Sequence, residues 1–273
     1  MEINKSGIGT TIETIGAWML GILWLMPVLF AFWSSFHPAE YSTSFELFAP
    51  VTTDNFVRAW SYAPFPRYLL NTFGLVTIIL ASQFVLCTLA AYGFARFKFW
   101  GREVLFAVVL LQLMIMPEVL LVENYRTISA MGLLDTITAI GLPYMASAFG
   151  IFLLRQSFKT IPNELVEAAQ VEGVSSLGIL WKVYVPLARS TYVAYGLVSV
   201  SYHWNNFLWP LVITSSVNSR PLTVGLAIFG APESGVDWSI ITAATVMTMA
   251  PLLVAFILFQ RQFVQSFMHS GIK

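Results

Sequence analysis

The stretch Tyr68-Leu69-Leu70-Asn71-Thr72-Phe73-Gly74-Leu75-Val76-Thr77-Ile78-Ile79-Leu80-Ala81-Ser82-Gln83-Phe84-Val85-Leu86-Cys87-Thr88-Leu89-Ala90-Ala91-Tyr92-Gly93-Phe94-Ala95 carries no charged side chain between Arg67 and Arg96. A helix needs about 20 mostly apolar residues to cross the hydrocarbon of a bilayer. Inside lipid the backbone must satisfy its own hydrogen bonds, which selects helix over an open sheet. Working outward, charge-free stretches recur at 14–36, 136–154, 190–217 and 238–260. A further one begins at Val104 and reaches spanning length if it continues to Val122, placing Glu118 near one interface. The expected fold is an all-α polytopic membrane protein with six transmembrane helices, at about 14–36, 68–95, 104–122, 136–154, 190–217 and 238–260. No repeat or linker divides the chain, so a single membrane domain over 1–273 is expected.

Composition agrees. Of 273 residues, 57% are hydrophobic and 10% charged, and mean hydropathy is +0.74, whereas a soluble domain carries about a quarter charged residues. Lys+Arg and Asp+Glu are 14 each, leaving no net field to attract a nucleic acid. Cys87 is the only cysteine, which excludes an intrachain disulfide.

The charges set an orientation. Lys5, Arg96, Lys98, Arg102, Arg155, Lys159, Lys182, Arg189, Arg261 and Lys273 flank one side, and only Arg58, Arg67, Arg126 and Arg220 flank the other. The positive-inside rule places the first side, and both termini, in the cytoplasm. The first apolar stretch is too long for a signal peptide and lacks a small-residue cleavage site, so it reads as an uncleaved helix.

Several chemistries are missing. No phosphate-binding G-x-x-x-x-G-K-[ST] loop occurs. His37, His203 and His269 match no metal-ligand spacing, and no nucleophile–base arrangement stands out. The expectation is no catalytic residue, no metal and no cofactor in this chain. Ion-coupled carriers place ionisable groups inside the membrane. Here only His203 and Glu118 qualify, so energy for uphill movement would enter from outside the spans.

The longest cytoplasmic segment, 156–189, supplies a motif. Pro162-Asn163 suits a helix start, Leu165, Ala168, Ala169 and Glu172 share one narrow face, and Gly173 suits a stop. Ser175 or Ser176 suits the cap of a second short helix, which Pro186 is expected to end. An ordinary amphipathic surface helix would show part of this pattern. The full spacing is more specific. Glu167-Ala168-Ala169, three residues, Gly173, nine residues, then Val183-Tyr184-Val185-Pro186 resembles the EAA loop of ABC-transporter permeases, with Val183 and Val185 in place of Ile and Leu. Gly132-Leu133-Leu134-Asp135-Thr136, Leu142-Pro143, Phe152-Leu153-Leu154-Arg155-Gln156 and Trp204-Asn205-Asn206-Phe207-Leu208-Trp209-Pro210 are similar to the carbohydrate-uptake branch typified by the maltose and glycerol-3-phosphate importer permeases.

The resemblance implies a set of partners. They are a second homologous permease, two ATP-binding subunits that hold ATP-Mg, and an extracytoplasmic substrate-binding protein. It implies that Glu164, Glu167, Ala168, Ala169, Gly173 and Pro186 couple to the ATPase, and that the chain sits in the inner membrane. The tail Met268–Lys273 resembles the maltose permease tail, against the plainer reading of a frayed terminus.

Two outward features remain. Tyr202, His203, Trp204, Asn205, Asn206 and Trp209 gather polar and indole groups deep in the fifth span, where Pro210 would disturb the helix. Amides and aromatic faces suit a hydroxyl-rich ligand. The same asparagines would equally serve as glue between helices, and the tryptophans as an interfacial belt. Gly230, Pro232, Glu233 and Gly235 would form a projecting turn, either a solvated hairpin or, as the resemblance implies, a contact for the binding protein. The expected function is the permease subunit of a binding-protein-dependent importer for a sugar, oligosaccharide or glycerol-type polyol. The alternatives are a stand-alone secondary carrier, against which the ion-free spans count, and a membrane scaffold.

Overall fold

The computed structural model describes residues 7–42, 44–46, 48–230 and 237–271. The described residues are helical, without a strand. In chain order the helices are α1 (Gly7–Ser35), α2 (Asp54–Tyr62), α3 (Phe65–Arg96), α4 (Arg102–Leu111), α5 (Leu121–Ala130), α6 (Ile137–Gly141), α7 (Ala148–Lys159), α8 (Asn163–Val171), α9 (Ser176–Ile179), α10 (Val185–Leu187), α11 (Arg189–Trp204), α12 (Leu208–Ile213), α13 (Leu222–Leu226) and α14 (Trp238–Gly271). Two compact units result, one drawn from Met1–Pro64 and Leu226–Ala250, the other from Phe65–Gly225 and Pro251–Lys273.

Three helices are long and apolar enough to cross a membrane unaided: Glu13–Ser35 within α1, all of α3, and Trp238–Gln260 within α14. Two bent pairs bring the number to as many as five. Of the six expected transmembrane helices, the third, fourth and fifth are therefore bent or broken among the described residues. Arg102–Met114 and Pro117–Ala130 meet at 92°, so 104–122 is not one helix. The cause is Pro117. It has no N–H to continue the ladder and drives the residue before it out of helical conformation, and Met116 indeed lies at φ −67°, ψ 134°. Ile137–Tyr144 and Ala148–Lys159 meet at 47°, where Ser147 accepts from the Gly150 amide and restarts the helix. In the expected fifth span, α11 stops at Trp204 after 16 residues, and α12 covers only Leu208–Ile213. The break precedes Pro210 rather than following it. Asn205 and Asn206 leave the helix, and Pro210 sits in the first turn of α12, where a missing N–H costs nothing.

In the first unit, α1 shows almost its whole surface, as a lipid-facing helix would. Its C-terminal end is tied down by Asn55, whose side-chain amide donates to the Ser35 and His37 carbonyls at 3.0 and 2.8 Å. Arg58 of α2 pairs with Asp237 at 3.0 Å.

In the second unit, α3 is the central post. Its buried stripe includes Leu75, Ile79, Gln83, Cys87 and Ala91, spaced so that one face meets α6 and α7. Close approach depends on Gly150. A Cβ there would stand 2.5 Å from Tyr195 Cζ and 3.0 Å from Cys87 Sγ. One end of the unit is knotted by Asp135. This residue takes a left-handed backbone (φ 58°) and accepts from the Ser215 and Ser216 amides at 2.9 and 3.0 Å, and from the Ser219 hydroxyl. Ser219 first, then the two amides, hold its carboxyl well below the usual carboxylate range.

Candidate functional site

The loop 156–189 folds as two helical arms bent on Gly173. In α8, Val166 is fully buried and Ala169 half-buried, while Glu164, Leu165, Glu167, Ala168 and Val171 are exposed. The expected narrow face therefore splits: Leu165, Ala168 and Glu172 point outward and Ala169 leans inward. The helix ends in a Schellman turn. The Val174 amide reaches the Ala169 carbonyl and the Gly173 amide the Gln170 carbonyl, both at 3.0 Å, with Gly173 at φ 76°. Only glycine takes that conformation without a Cβ penalty.

The second arm starts where Ser175 accepts from the Gly178 amide. It continues through a π turn at Leu180–Tyr184 into α10. Pro186 therefore does not end this arm. It lies in the first turn after the π turn, which absorbs its missing hydrogen bond. Ile179, Leu180 and Tyr184 are buried with Val166, Phe158, Leu154 and Tyr92 in one apolar cluster. Tyr92 donates to the Ser176 carbonyl at 2.9 Å, and the Tyr184 ring meets Tyr92 and Phe158 edge-on at 5.2 Å each. The loop is thus a rigid platform bolted to the ends of α3 and α7. Its outer side offers Leu165, Ala168, Val171, Leu177 and Trp181 together with Glu164 and Glu167. Such a mix of apolar centre and acidic rim suits a protein partner with a basic-edged cleft.

Arg155 does not belong to that rim. It is only 4% exposed. Its guanidinium meets Glu103 at 3.1 Å, donates to the Phe94 carbonyl at 3.3 Å and lies 3.9 Å from the centroid of the Phe106 ring. The charge that the sequence places with the loop instead clamps α7 to α4.

A second site lies deeper in the same unit. A cavity of about 410 Å³ opens among α3, α5, α7, α11 and the bent segment between α4 and α5. Gln83, Tyr195, Ser199, Tyr202 and His203 line it. Gln83 organises the wall. Its Nε2 donates to the Tyr144 carbonyl at 2.8 Å and faces His203 Nε2 at 3.3 Å, while its Oε1 accepts from the Tyr195 and Ser199 hydroxyls at 2.8 and 2.6 Å. A smaller hollow beside it is lined by Glu118, Tyr144, Tyr202, Asn206 and Trp209.

The residues expected along the fifth span divide accordingly. Tyr202 and His203 face the larger cavity, and Asn206 and Trp209 the smaller. Trp209 is mostly buried, its indole N–H donating to the Ile140 carbonyl at 3.2 Å. Trp204 lies on neither and packs edge-on against Phe73 at 5.1 Å. Asn205 donates back to the Ser201 carbonyl and caps α11. Of the expected outer turn, Gly230 closes a short 3₁₀ helix from Ala227, whereas Pro232, Glu233 and Gly235 fall outside the described residues. The backbone of α14 is helical to Gly271, and Ile272 and Lys273 fall outside. Sequence reasoning passed over Gln83, Tyr195 and Ser199. The available signal was an amide in the middle of an apolar span, where an unpaired polar group is costly.

Bent apolar helices, a docked helical platform and a largely apolar cavity with a hydrogen-bonded polar wall define an integral-membrane permease component. The chain belongs to the binding-protein-dependent transport system inner membrane component family, which matches residues 83–269. It is 31% identical over 266 residues to the sn-glycerol-3-phosphate transport system permease protein UgpE of Yersinia pestis, covering 91% of this chain and 94% of that one. It is 30% identical over 279 residues to the arabinooligosaccharides transport system permease protein AraQ of Halalkalibacterium halodurans, covering all of both chains. To the lactose transport system permease protein LacG of Rhizobium radiobacter it is 34% identical over 226 residues, covering 82% and 81%. Its fold is similar to a chain in the crystal structure of a bacterial ABC transporter involved in the import of the acidic polysaccharide alginate, with a TM-score of 0.80 at 22% identity over 96% of this chain and 100% of that one. A second likeness is to the alginate ABC transporter in complex with a pentasaccharide-bound periplasmic protein, at TM-score 0.67 and 17% identity over 96% and 99%.

Proposed function

We propose that this chain forms half of the translocation pathway of an ABC importer for a sugar, oligosaccharide or glycerol-type polyol. It would act with a second permease, two ATP-binding subunits and an extracytoplasmic binding protein. The observation that carries the reading is the platform at 156–189, anchored by Val166 and Tyr184 with Glu167, Ala168 and Leu165 outermost. ATP-Mg would be held by the partner ATPase, and closure of that dimer would move the platform and, through α7 and α11, the bundle. The ten-to-four sorting of basic residues supports a topology with both termini cytoplasmic. The near-absence of ionisable side chains from the apolar stretches supports an external energy source over ion coupling. Six crossings, with the third to fifth bent or broken, fit that topology within one membrane domain. The C-terminal tail and the turn at Gly230, Pro232, Glu233 and Gly235 would meet the ATPase and the binding protein respectively.

Glu167→Lys tests the lever. The expected outcome is a variant that inserts normally but loses ATP-dependent uptake by about tenfold or more, equivalent to roughly 1.4 kcal/mol of coupling, with the reconstituted transporter in proteoliposomes as readout. Uptake at the wild-type rate with normal ATPase association would sink the lever. Recovery of a carrier that transports without any ATPase subunit would sink the importer reading itself.

A further inference from the structure

We infer that the cavity built around Gln83 is a binding site in this chain for a neutral, hydroxyl-rich ligand of mono- or disaccharide size, and that it discriminates against anionic ligands. The inference rests on the importer reading and narrows it, because the named relatives divide between phosphorylated and uncharged solutes.

Size comes first. The cavity, at about 410 Å³, falls in the roughly 300–1,000 Å³ range of small-molecule sites. Its lining combines apolar side chains such as Leu113, Ile115, Phe149 and Val198 with a polar wall around Gln83, and Gln112, Asn124 and Ser147 add further polar groups. Sugars bind such mixtures well. Their C–H faces cover the apolar surface and their hydroxyls need convergent donors and acceptors.

The polarity of that wall follows from one constraint. The Tyr144 carbonyl can only accept, so the Gln83 atom 2.8 Å from it is the amide nitrogen. The opposite atom is then the carbonyl oxygen, and both the Tyr195 and Ser199 hydroxyls must spend their hydrogens on it. The Ser199 hydroxyl is left with lone pairs to offer, while the Tyr195 oxygen also meets the Ser147 hydroxyl and the Cys87 thiol. The second N–H of Gln83 faces His203 Nε2 at 3.3 Å, which makes that nitrogen the acceptor and places the neutral ring's proton on Nδ1. His203 is 6% exposed, and the described residues supply no partner for Nδ1. A buried donor without a partner calls for a ligand or a water. The wall thus presents the Ser199 oxygen as an acceptor and keeps a buried, unspent donor at His203 Nδ1, and a hydroxyl group is both donor and acceptor.

Charge completes the argument. No Lys or Arg lines this cavity, and the adjacent hollow is lined by Glu118. A phosphate or carboxylate would enter without a counter-charge, which is costly away from water. A neutral sugar pays no such penalty.

Protection from alkylation tests the site. Ser199→Cys is placed in a Cys87→Ala background and assembled with its partner subunits in membranes. The new thiol is labelled with N-ethylmaleimide, in the absence of ATP and binding protein, with lactose, arabinotriose or sn-glycerol 3-phosphate as probe. At a probe concentration about tenfold over its dissociation constant, labelling should slow about tenfold with at least one of the neutral sugars and be unchanged by glycerol phosphate. No protection by either sugar, or equal protection by the phosphate, overturns the proposal. A thiol that cannot be labelled at all also overturns it, because the cavity would then be closed to solutes. Gln83→Leu provides an arm that does not depend on the cysteine. ATP-driven uptake of the protecting sugar should fall about tenfold, one decade being roughly 1.4 kcal/mol, while the subunits still co-purify. Wild-type uptake by Gln83→Leu would contradict the assignment. The labelling arm needs no ATP hydrolysis, so its failure is distinct from the absence of ATP-dependent uptake in the wild-type transporter.

Discussion

Arg155 and Asp135 show how single polar residues set this bundle. Arg155 is buried against a ring, a carbonyl and the half-solvated Glu103. Removing it takes a donor from the Phe94 carbonyl and leaves a cavity over Phe106. Arg155→Leu should cost about 1–3 kcal/mol, seen as a lower unfolding temperature of the purified transporter. Arg155→Lys should recover only part, because an ammonium cannot bridge carboxylate and carbonyl as a guanidinium does. Asp135 has the opposite exposure but a comparable role. Its lowered folded-state pKa means that the carboxylate stabilises the knot above the ordinary carboxylate value of about 3.9, and that the gain is lost only as pH falls through the depressed one. Asp135→Asn should therefore speed amide exchange at Ser215 and Ser216 by a similar factor at pH 6 and pH 8. A large difference between those pH values, after correction for intrinsic exchange, would contradict the assignment. Neither role was readable from sequence. Arg155 looked like one more cytoplasmic charge, and Asp135 a loop acid, because both act through partners 50 or more positions away. Gln83 was missed for the same reason.

Among the elements, the platform was the part most open to sequence reading. Its signals are local: Ser175 caps within three residues and Gly173 turns within one, although the face read as Leu165, Ala168, Ala169 and Glu172 missed the buried Val166. The bend at Pro117 was equally local in cause, yet composition alone read 104–122 as continuous, since hydropathy does not register a missing N–H. Pro186 and Pro210 misled in the other direction. Each sits in a first turn, where proline is harmless. The Schellman turn yields its own prediction. Gly173→Val forces a β-branched side chain to φ 76° and should cost about 1–2 kcal/mol, tilting α8 against the second arm. Reduced co-purification of the ATPase, with unchanged membrane insertion, is the expected result in a tag pull-down.

For the molecule entire, hydropathy and charge sorting gave the class of fold, and the comparisons with UgpE, AraQ and LacG agree with it. The division into two compact units was not visible, because the first unit draws on both ends of the chain and is joined by contacts such as Arg58 with Asp237. A membrane bundle of this kind also has to be judged with its partners. Expressed without the second permease, the chain should be degraded several-fold faster than when co-expressed, as pulse–chase labelling would report; destabilisation of about 1–2 kcal/mol suffices to change abundance to that extent. Equal half-lives would show that the subunit is stable alone.

The 92° bend after Met114 bears on that lifetime. Ile115 and Met116 are extended and exposed, some 18 Å of helix rise beyond Arg102 at about 1.5 Å per residue. Hydrocarbon does not tolerate bare peptide groups at such a depth unless protein or water covers them. The Ile115 amide and the Met116 carbonyl are paired locally, and in the proposed assembly a second permease would cover what remains, so an orphan copy would be marked by its own backbone. With such partners, the cell would match the supply of this chain to theirs without a dedicated regulator, simply by destroying the surplus.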